Sequence, residues 1–358
     1  MFRVSSSLIP FGSSELNTLN WEDTFKDVFS HLKNKIEANE IRISVHPGQY
    51  TVLNSPNKEV VENAILDLKY HAKLIQLLSP QNNSKIILHV GAGYGNKEDA
   101  MNRFVDVYLN RLSDEIKAHL VIENDDRLFT VADVLWISSK TKVPVVFDNL
   151  HHEINPSLEN EPIQIIINKV LETWHGEKPK FHYSQQAQGK RIGAHSDTID
   201  LGKFIKDYHE IYYSANVDIM LEVKDKNRSF MKVNQYFNPS QTVLEQEWAR
   251  YKYYVMSKSQ KAYNDLRFMF RNNGKVDVRS FYKIIDDLSD LDINEKAEAN
   301  TFSHVWGYFK RFATEKEKET YLRLLENQSI DAMYRHLKKL SSKYRVEYLQ
   351  NSYYFKER

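Results

Sequence analysis

The stretch PVVFDNLHHEINP, residues 144–156, passes within five residues from a Val-Val-Phe run to Asp148, His151 and His152. A β-branched and aromatic run that stops so abruptly reads as a short buried strand, and the residues that end it are all able to hold a metal. The layout recurs along the chain. Short β-rich runs occupy 2–10, 41–49, 85–93, 119–125, 143–152, 178–185 and 217–225, separated by helical patterns such as 57–78. Buried strands alternating with helices specify a parallel sheet, and seven or eight such units specify a (β/α)8 TIM barrel.

Polar residues mark the ends of these runs. His46, His89, Glu123, Asp148 with His151, His182 and Glu222 each fall at or just beyond the carboxyl end of a different strand. Those ends converge on one mouth in such a barrel, so residues distant in sequence become neighbours. One strand-end histidine is more often structural than a ligand. Six strands each delivering His, Asp or Glu in the same register are better explained by a metal centre. The glycines of GAGYG (91–95) alternate and lack the spacing of a dinucleotide-binding fingerprint, so no nucleotide cofactor is expected.

Composition narrows the chemistry. With 358 residues, 41% hydrophobic and 27% charged, the chain has the make-up of a soluble globular protein. It contains no cysteine, so disulfides, thiolate nucleophiles and thiolate metal sites are excluded. No apolar run approaches the roughly 20 residues that span a bilayer. The amino terminus lacks the layout of a signal peptide. The expectation is a cytoplasmic protein with no membrane association. Charge is uneven: residues 248–358 hold 22 Lys and Arg against 15 Asp and Glu, whereas the rest of the chain is net acidic.

Imidazoles mixed with carboxylates suit Mn²⁺, Zn²⁺ or Fe²⁺. His46, His89, His151, His182, His195, Glu123, Asp148 and Glu222 are too many for one ion, and two or three clustered ions are expected. Such clusters clamp the oxygens of a phosphodiester and activate water, which makes metal-assisted phosphodiester hydrolysis the first hypothesis. A metal-dependent sugar isomerase or epimerase of the same barrel type is the second. A non-catalytic DNA-binding remnant is the third.

The motifs ISVHPGQY (43–50), ILHVGAGYG (87–95), VIENDDR (121–127), VVFDNLHH (145–152), KPKFHYSQQ (178–186), GAHSD (193–197) and IMLEVKDK (219–226) resemble, in order, those of the UV damage endonuclease family. The resemblance implies a TIM-barrel repair nuclease similar in site layout to endonuclease IV, which nicks damaged double-stranded DNA 5′ to photoproducts and in some members at abasic sites. It implies a Mn²⁺ cluster, with Zn²⁺ or Mg²⁺ as substitutes. Glu123 would bridge, His46 and His89 would serve one ion, Asp148, His182 and Glu222 its neighbour, and His151 and His195 a third. Where endonuclease IV carries an aspartate two residues before its last histidine this chain has Gly193, which leaves the third site short of a ligand. Gln49 and Tyr50 match residues with which the family wedges open the duplex at a lesion; an ordinary surface turn is the bland alternative. Lys180, two residues before His182, would face the mouth and neutralise the scissile phosphate or be carbamylated as a ligand, unless it is structural. His152 receives no role, because its side chain should point away from that of His151.

Two departures from the family accompany these motifs. The first run resembles the family's second strand, so the first β/α unit is expected to be missing, either because the chain is incomplete at its start or because the barrel is open there. A linker is expected at 234–246, dividing the barrel domain (1–233) from a basic all-α domain (247–358) with helices over 247–270, 279–288, 298–312 and 315–328. That tail resembles a small bacterial helical domain of unassigned function. Its interleaved aromatic and basic residues suit either a DNA backbone surface or a bundle whose aromatics form the core.

Overall fold

Among the described residues, seven strands form where the sequence places them: β1 (Phe2–Val4), β2 (Ile43–Val45), β3 (Lys85–His89), β4 (Leu120–Glu123), β5 (Val145–Val146), β6 (Lys180–Tyr183) and β7 (Asp218–Leu221). The computed structural model describes residues 1–79, 83–158, 160–225, 227–271, 275–289 and 291–356. Every ladder is parallel, in the order β1-β2-β3-β4-β5 and β6-β7. An Asp148–His182 bridge, in which the His182 amide donates to the Phe147 carbonyl at 2.9 Å, continues the sheet from β5 to β6.

The sheet curls, because residues of distant strands touch inside it. Lys180 on β6 donates to Ser44 on β2 at 2.6 Å, and Arg3 on β1 meets Glu222, one residue beyond β7, at 2.6 Å. Among the described residues β1 and β7 do not pair, so each leaves one edge without a ladder. The remainder is the TIM-barrel arrangement expected, with helices such as Lys58–Leu78 between the strands. That helix is capped by Asn57, and its Val61, Ala64, Ile65, Leu68, Ala72 and Ile75 recur at three- and four-residue spacing on the buried side.

The bottom of the barrel is closed by Trp174 and Arg42. Trp174 packs with Ile87, Val121 and Val146 and donates to the Val145 carbonyl at 2.7 Å. The Arg42 guanidinium lies 5.6 Å from the Trp174 ring, donates to the Lys178 carbonyl at 2.8 Å and pairs with Asp218 at 2.9 Å. Parallel strands buried on both faces need apolar side chains on both, which accounts for the near-continuous Val, Ile and Leu of β3 and β4.

The chain divides into two compact units, residues 1–197 with 206–224 and residues 198–205 with 225–358. The second unit is helical. Residues 234–246, expected as a linker, are instead occupied by the end of helix Arg228–Phe237 and the start of helix Gln241–Lys258, with only 238–240 between. Ser240 caps the second helix by accepting from the Val243 amide at 3.4 Å, so a polar stretch that reads as a spacer is a helix boundary. The single helix expected over 247–270 is two, Gln241–Lys258 and Gln260–Arg271. Ser259 separates them in extended backbone, and its hydroxyl accepts from the Ala262 amide, the local competition by which serine starts a new helix.

The aromatics of this unit are core. Tyr251, Phe281 and Tyr282 are fully buried, and Arg228 is surrounded by the rings of Tyr251, Tyr254 and Tyr353 at 5.0 to 5.6 Å. The buried Glu247 accepts from the Tyr353 hydroxyl at 2.9 Å and from Arg250 at 2.6 Å, and buried Lys232 pairs with Asp286. These contacts compensate charges that would otherwise be costly to bury.

Replacing Trp174 by Ala removes the floor of the barrel. The expected loss is about 3–5 kcal/mol, the usual cost of truncating a large buried aromatic, read as a lower midpoint in urea denaturation.

Candidate metal centre

The strand ends deliver their side chains to one point. Glu123 closes β4, is 1% exposed and is touched from several sides. His182 Nδ1 lies 2.6 Å from its Oε1 and His46 Nε2 3.2 Å from its Oε2. His89 and His151 each stand 3.8 Å away. His46, His89 and Glu123 offer ligand atoms that all lie within 4.8 Å of one another, and so do Glu123, Asp148 and His182. Glu123 belongs to both groups. Glu222 reaches the second, 3.1 Å from His182 Nδ1. His195 stands 3.7 Å from Glu222, and its ring centre is 6.0 Å from that of His151.

Local structure explains why β5 stops where it does. Asp148 is the N-cap of a short helix, Asn149–Ile154, and its Oδ1 accepts from the His151 amide at 2.8 Å. The turn carries His151 back over the strand end, where its Nδ1 lies 2.9 Å from the Asn124 carbonyl. His152 turns away and packs on Phe147, 5.4 Å between ring centres. Two asparagines that follow acidic ligand positions hold neighbouring strand ends together. The Asp148 amide donates to the Asn124 side chain at 3.0 Å while that side chain donates to the Asp148 carbonyl at 3.1 Å. Asn149 makes the same reciprocal pair with Ser184 at 2.9 and 3.0 Å. After β3 the chain must turn sharply at Gly91, φ +119°, where a Cβ would meet the Asn54 side chain.

Electrostatics at the mouth are tightly balanced. Burial pushes the Glu123 carboxyl up, but the imidazoles of His182, His46 and His89 hold it well below the usual range. Burial raises Asp148 to about 7, with Glu123 and Glu222 adding to the push against the pull of His151. His151 is depressed by burial yet lifted to about 9 by Asp148 and Glu123. Burial drops His182 to about 4. Glu222 is raised by burial but brought to about 2 by His182 and Arg3.

Arg3 escaped sequence reasoning. Its Nη2 donates to His182 Nε2 at 2.8 Å and pairs with Glu222, so a guanidinium on β1 touches two expected ligands. Because that group has no acceptor, His182 Nε2 must accept and Nδ1 carries the proton toward Glu123. The signal was a lone arginine inside an apolar strand. Lys180, on the same strand as His182, is fully buried, and its ammonium donates to the Ser44 hydroxyl at 2.6 Å. Burial and the nearby Arg3 hold its ammonium well below the usual lysine range. At the rim, Tyr50 is 82% exposed and Gln49 is also exposed. The loop bearing them is anchored by Thr51, whose hydroxyl donates to Asp67 at 2.6 Å. At Gly193, φ +81°, a Cβ would lie 2.6 Å from Asp126 Oδ2.

The donor set fits a divalent cation. It consists of nitrogen and oxygen alone, it is closely grouped, and within it Asp148 Oδ2 and His89 Nδ1 are buried with no hydrogen-bond partner.

Residues 1–253 match the family described as UV-endonuclease UvdE, and residues 252–357 match one described as a protein of unknown function (DUF1722). The UV DNA damage endonuclease of Clostridium perfringens (strain 13 / Type A) is 38% identical over 296 residues, which cover 80% of this chain and 70% of that protein. The UV DNA damage endonuclease of Bacillus cereus (strain Q1) is 34% identical over 236 residues, 65% of this chain and 73% of that protein. A crystal structure of SacUVDE superposes with a TM-score of 0.62 at 41% identity, covering 67% of this chain and 81% of that one.

In metal-free protein followed by ¹⁵N NMR, the His182 imidazole is expected to stay neutral down to about pH 4 and that of His151 to stay protonated up to about pH 9. Asp148→Asn removes the main charge that lifts His151, whose titration should then fall toward the ordinary value of about 6.5.

Proposed function

The chain belongs to the UV-endonuclease UvdE family, and from that premise we propose that it nicks duplex DNA 5′ to ultraviolet photoproducts and at abasic sites. The observation that carries this reading is the convergence on Glu123, a sealed carboxylate reached by imidazoles from three other strands. His46, His89 and Glu123 would hold one Mn²⁺, and Glu123, Asp148, His182 and Glu222 a second. His151 and His195 lie beside them for a third, with Zn²⁺ or Mg²⁺ as substitutes. Bound there, divalent ions supply Lewis-acid activation of water and of the phosphodiester.

The chain's own residues do the rest. Glu123 fixes the spacing of the two ligand groups because it is shared by both. Asn124 and Asn149 lock the strand ends, so that the ligands are oriented before any ion arrives. Lys180, bonded to Ser44, acts as a positioning residue. Tyr50 and Gln49 project from an anchored loop directly after His46, where an aromatic face and an amide can fill the gap left by splayed bases. A metal-dependent sugar isomerase would have no use for an aromatic ring presented to solvent in this way. The same reading places the chain in the cytoplasm, with its DNA substrate. The nuclease domain in this reading is the unit of residues 1–197 with 206–224, and the helical unit is an appendage to it.

Glu123→Gln is expected to abolish Mn²⁺-dependent nicking of irradiated duplex. Bound manganese, measured by mass spectrometry, should fall by more than the 10–100-fold typical of losing only a partner of a ligand. Wild-type nicking by that variant refutes the assignment. Tyr50→Ala should weaken binding to irradiated duplex by about 1–3 kcal/mol, the worth of one stacked base, with manganese content unchanged.

A further inference from the structure

A cavity of about 760 Å³ opens beside His195 and Glu222 on the flank of the metal centre, and four of its lining residues are Lys or Arg against one carboxylate. Arg3 contributes from β1, Lys190 and Arg191 from the loop after β6, and Lys224 from the segment after β7. We propose that this cavity is a phosphate subsite, taking a backbone phosphodiester of the DNA next to the one cleaved at the centre. The proposal rests on the nuclease reading and adds residues that the metal chemistry leaves without a role.

Charge and construction both point to an anion. Arg3 already offsets Glu222, the carboxylate of the lining. Asp197, nearby, is shared between Lys190 at 3.3 Å and Lys224 at 3.6 Å. These three side chains are all more than half exposed, so their pairing is weak and either lysine can turn to a stronger anion. Arg191 makes no ion pair among the described residues. Four cations against two carboxylates leave a net charge of two positive in a concave surface, where field lines are focused.

Arg3 Nε, moreover, is buried with no hydrogen-bond partner, a donor whose desolvation is compensated by nothing in the protein. The loop that presents Arg191 is held in place. Gln186 accepts from the Gly193 amide at 2.8 Å and donates to the Arg191 carbonyl at 2.9 Å, and an antiparallel bridge joins Gln186 to His195. A guanidinium carried on a pinned stretch of backbone, a buried arginine donor and two exchangeable ammonium groups form a set that suits a phosphodiester, whose oxygens can accept from several donors at once. The shared border with Glu222 and His195 puts the bound phosphate next in line to the reacting one, so the interaction fixes the register of the strand rather than reading its bases.

The test is the salt dependence of duplex binding by the full chain in EDTA, measured by fluorescence anisotropy between 50 and 200 mM salt. Removing one cation that neutralises a phosphate should make the slope of log K against log salt shallower by about 0.9 and, near 0.1 M, weaken binding roughly tenfold. Arg191→Gln is expected to show that change, and Lys190→Gln with Arg191→Gln a larger one, at unaltered melting temperature and manganese content. Lys140→Gln, on a helix outside the lining, is the control and should keep the wild-type slope. Unchanged slopes in both cavity variants, with the wild type still nicking irradiated duplex in Mn²⁺, overturn the subsite alone. A wild type that binds duplex with the full slope yet never nicks it overturns the nuclease reading instead, and the variants still decide the subsite.

Discussion

One buried negative charge organises this molecule. A carboxylate with 1% of its surface exposed, as at Glu123, is costly unless cations or donors surround it. Here the compensation comes from imidazoles on β2, β3 and β6 and from the helix that follows β5. No two of these groups are close in sequence. The barrel is therefore held to its curvature at the mouth by electrostatics as well as by ladder hydrogen bonds, and the reciprocal asparagine pairs that brace adjacent strand ends belong to the same solution. Divalent ions would relieve this crowding of acids and bases, since they give each carboxylate and imidazole the partner that its neighbours now supply imperfectly.

Much of this could be read from the chain. The seven strands, their parallel order and the residues at their ends follow from alternating apolar runs and helical spacing, because buried strands leave an unmistakable Val-Ile-Leu pattern and a barrel sends all their ends one way. What escaped reading depends on the third dimension. Arg3 looks like an ordinary charged residue in a strand until β1 and β7 come together around it. Lys180 shares its strand with His182, but its complete burial and its bond to Ser44 come from strands far apart in the chain, which a pattern of alternation does not record. The stretch 234–246 is polar, as spacers are, yet polarity is also what capping residues look like. Ser259 likewise interrupts a helical pattern that propensity alone would carry through.

The carboxy-terminal unit illustrates a different lesson. Its interleaved tyrosines and basic residues are ambiguous in sequence, since tyrosine serves equally at a wet interface and in a core. The structure resolves them into a core in which hydroxyls and ring faces satisfy buried charge: Tyr353 on Glu247, Tyr354 on Glu298, and three rings around Arg228. The net positive charge of the region thus resides in its surface lysines and arginines, and the aromatics hold the helices together.

The plug formed by Arg42 and Trp174 has a consequence for traffic through the molecule. Arg42 is 9% exposed and is tied to the chain just ahead of β6 and to the first residue of β7, so the lower opening is shut by a group that cannot move without breaking several interactions at once. The barrel is a cup rather than a tube. Its contents are therefore not reached through the lower opening, and anything lying across the rim covers the mouth at which the ligands gather.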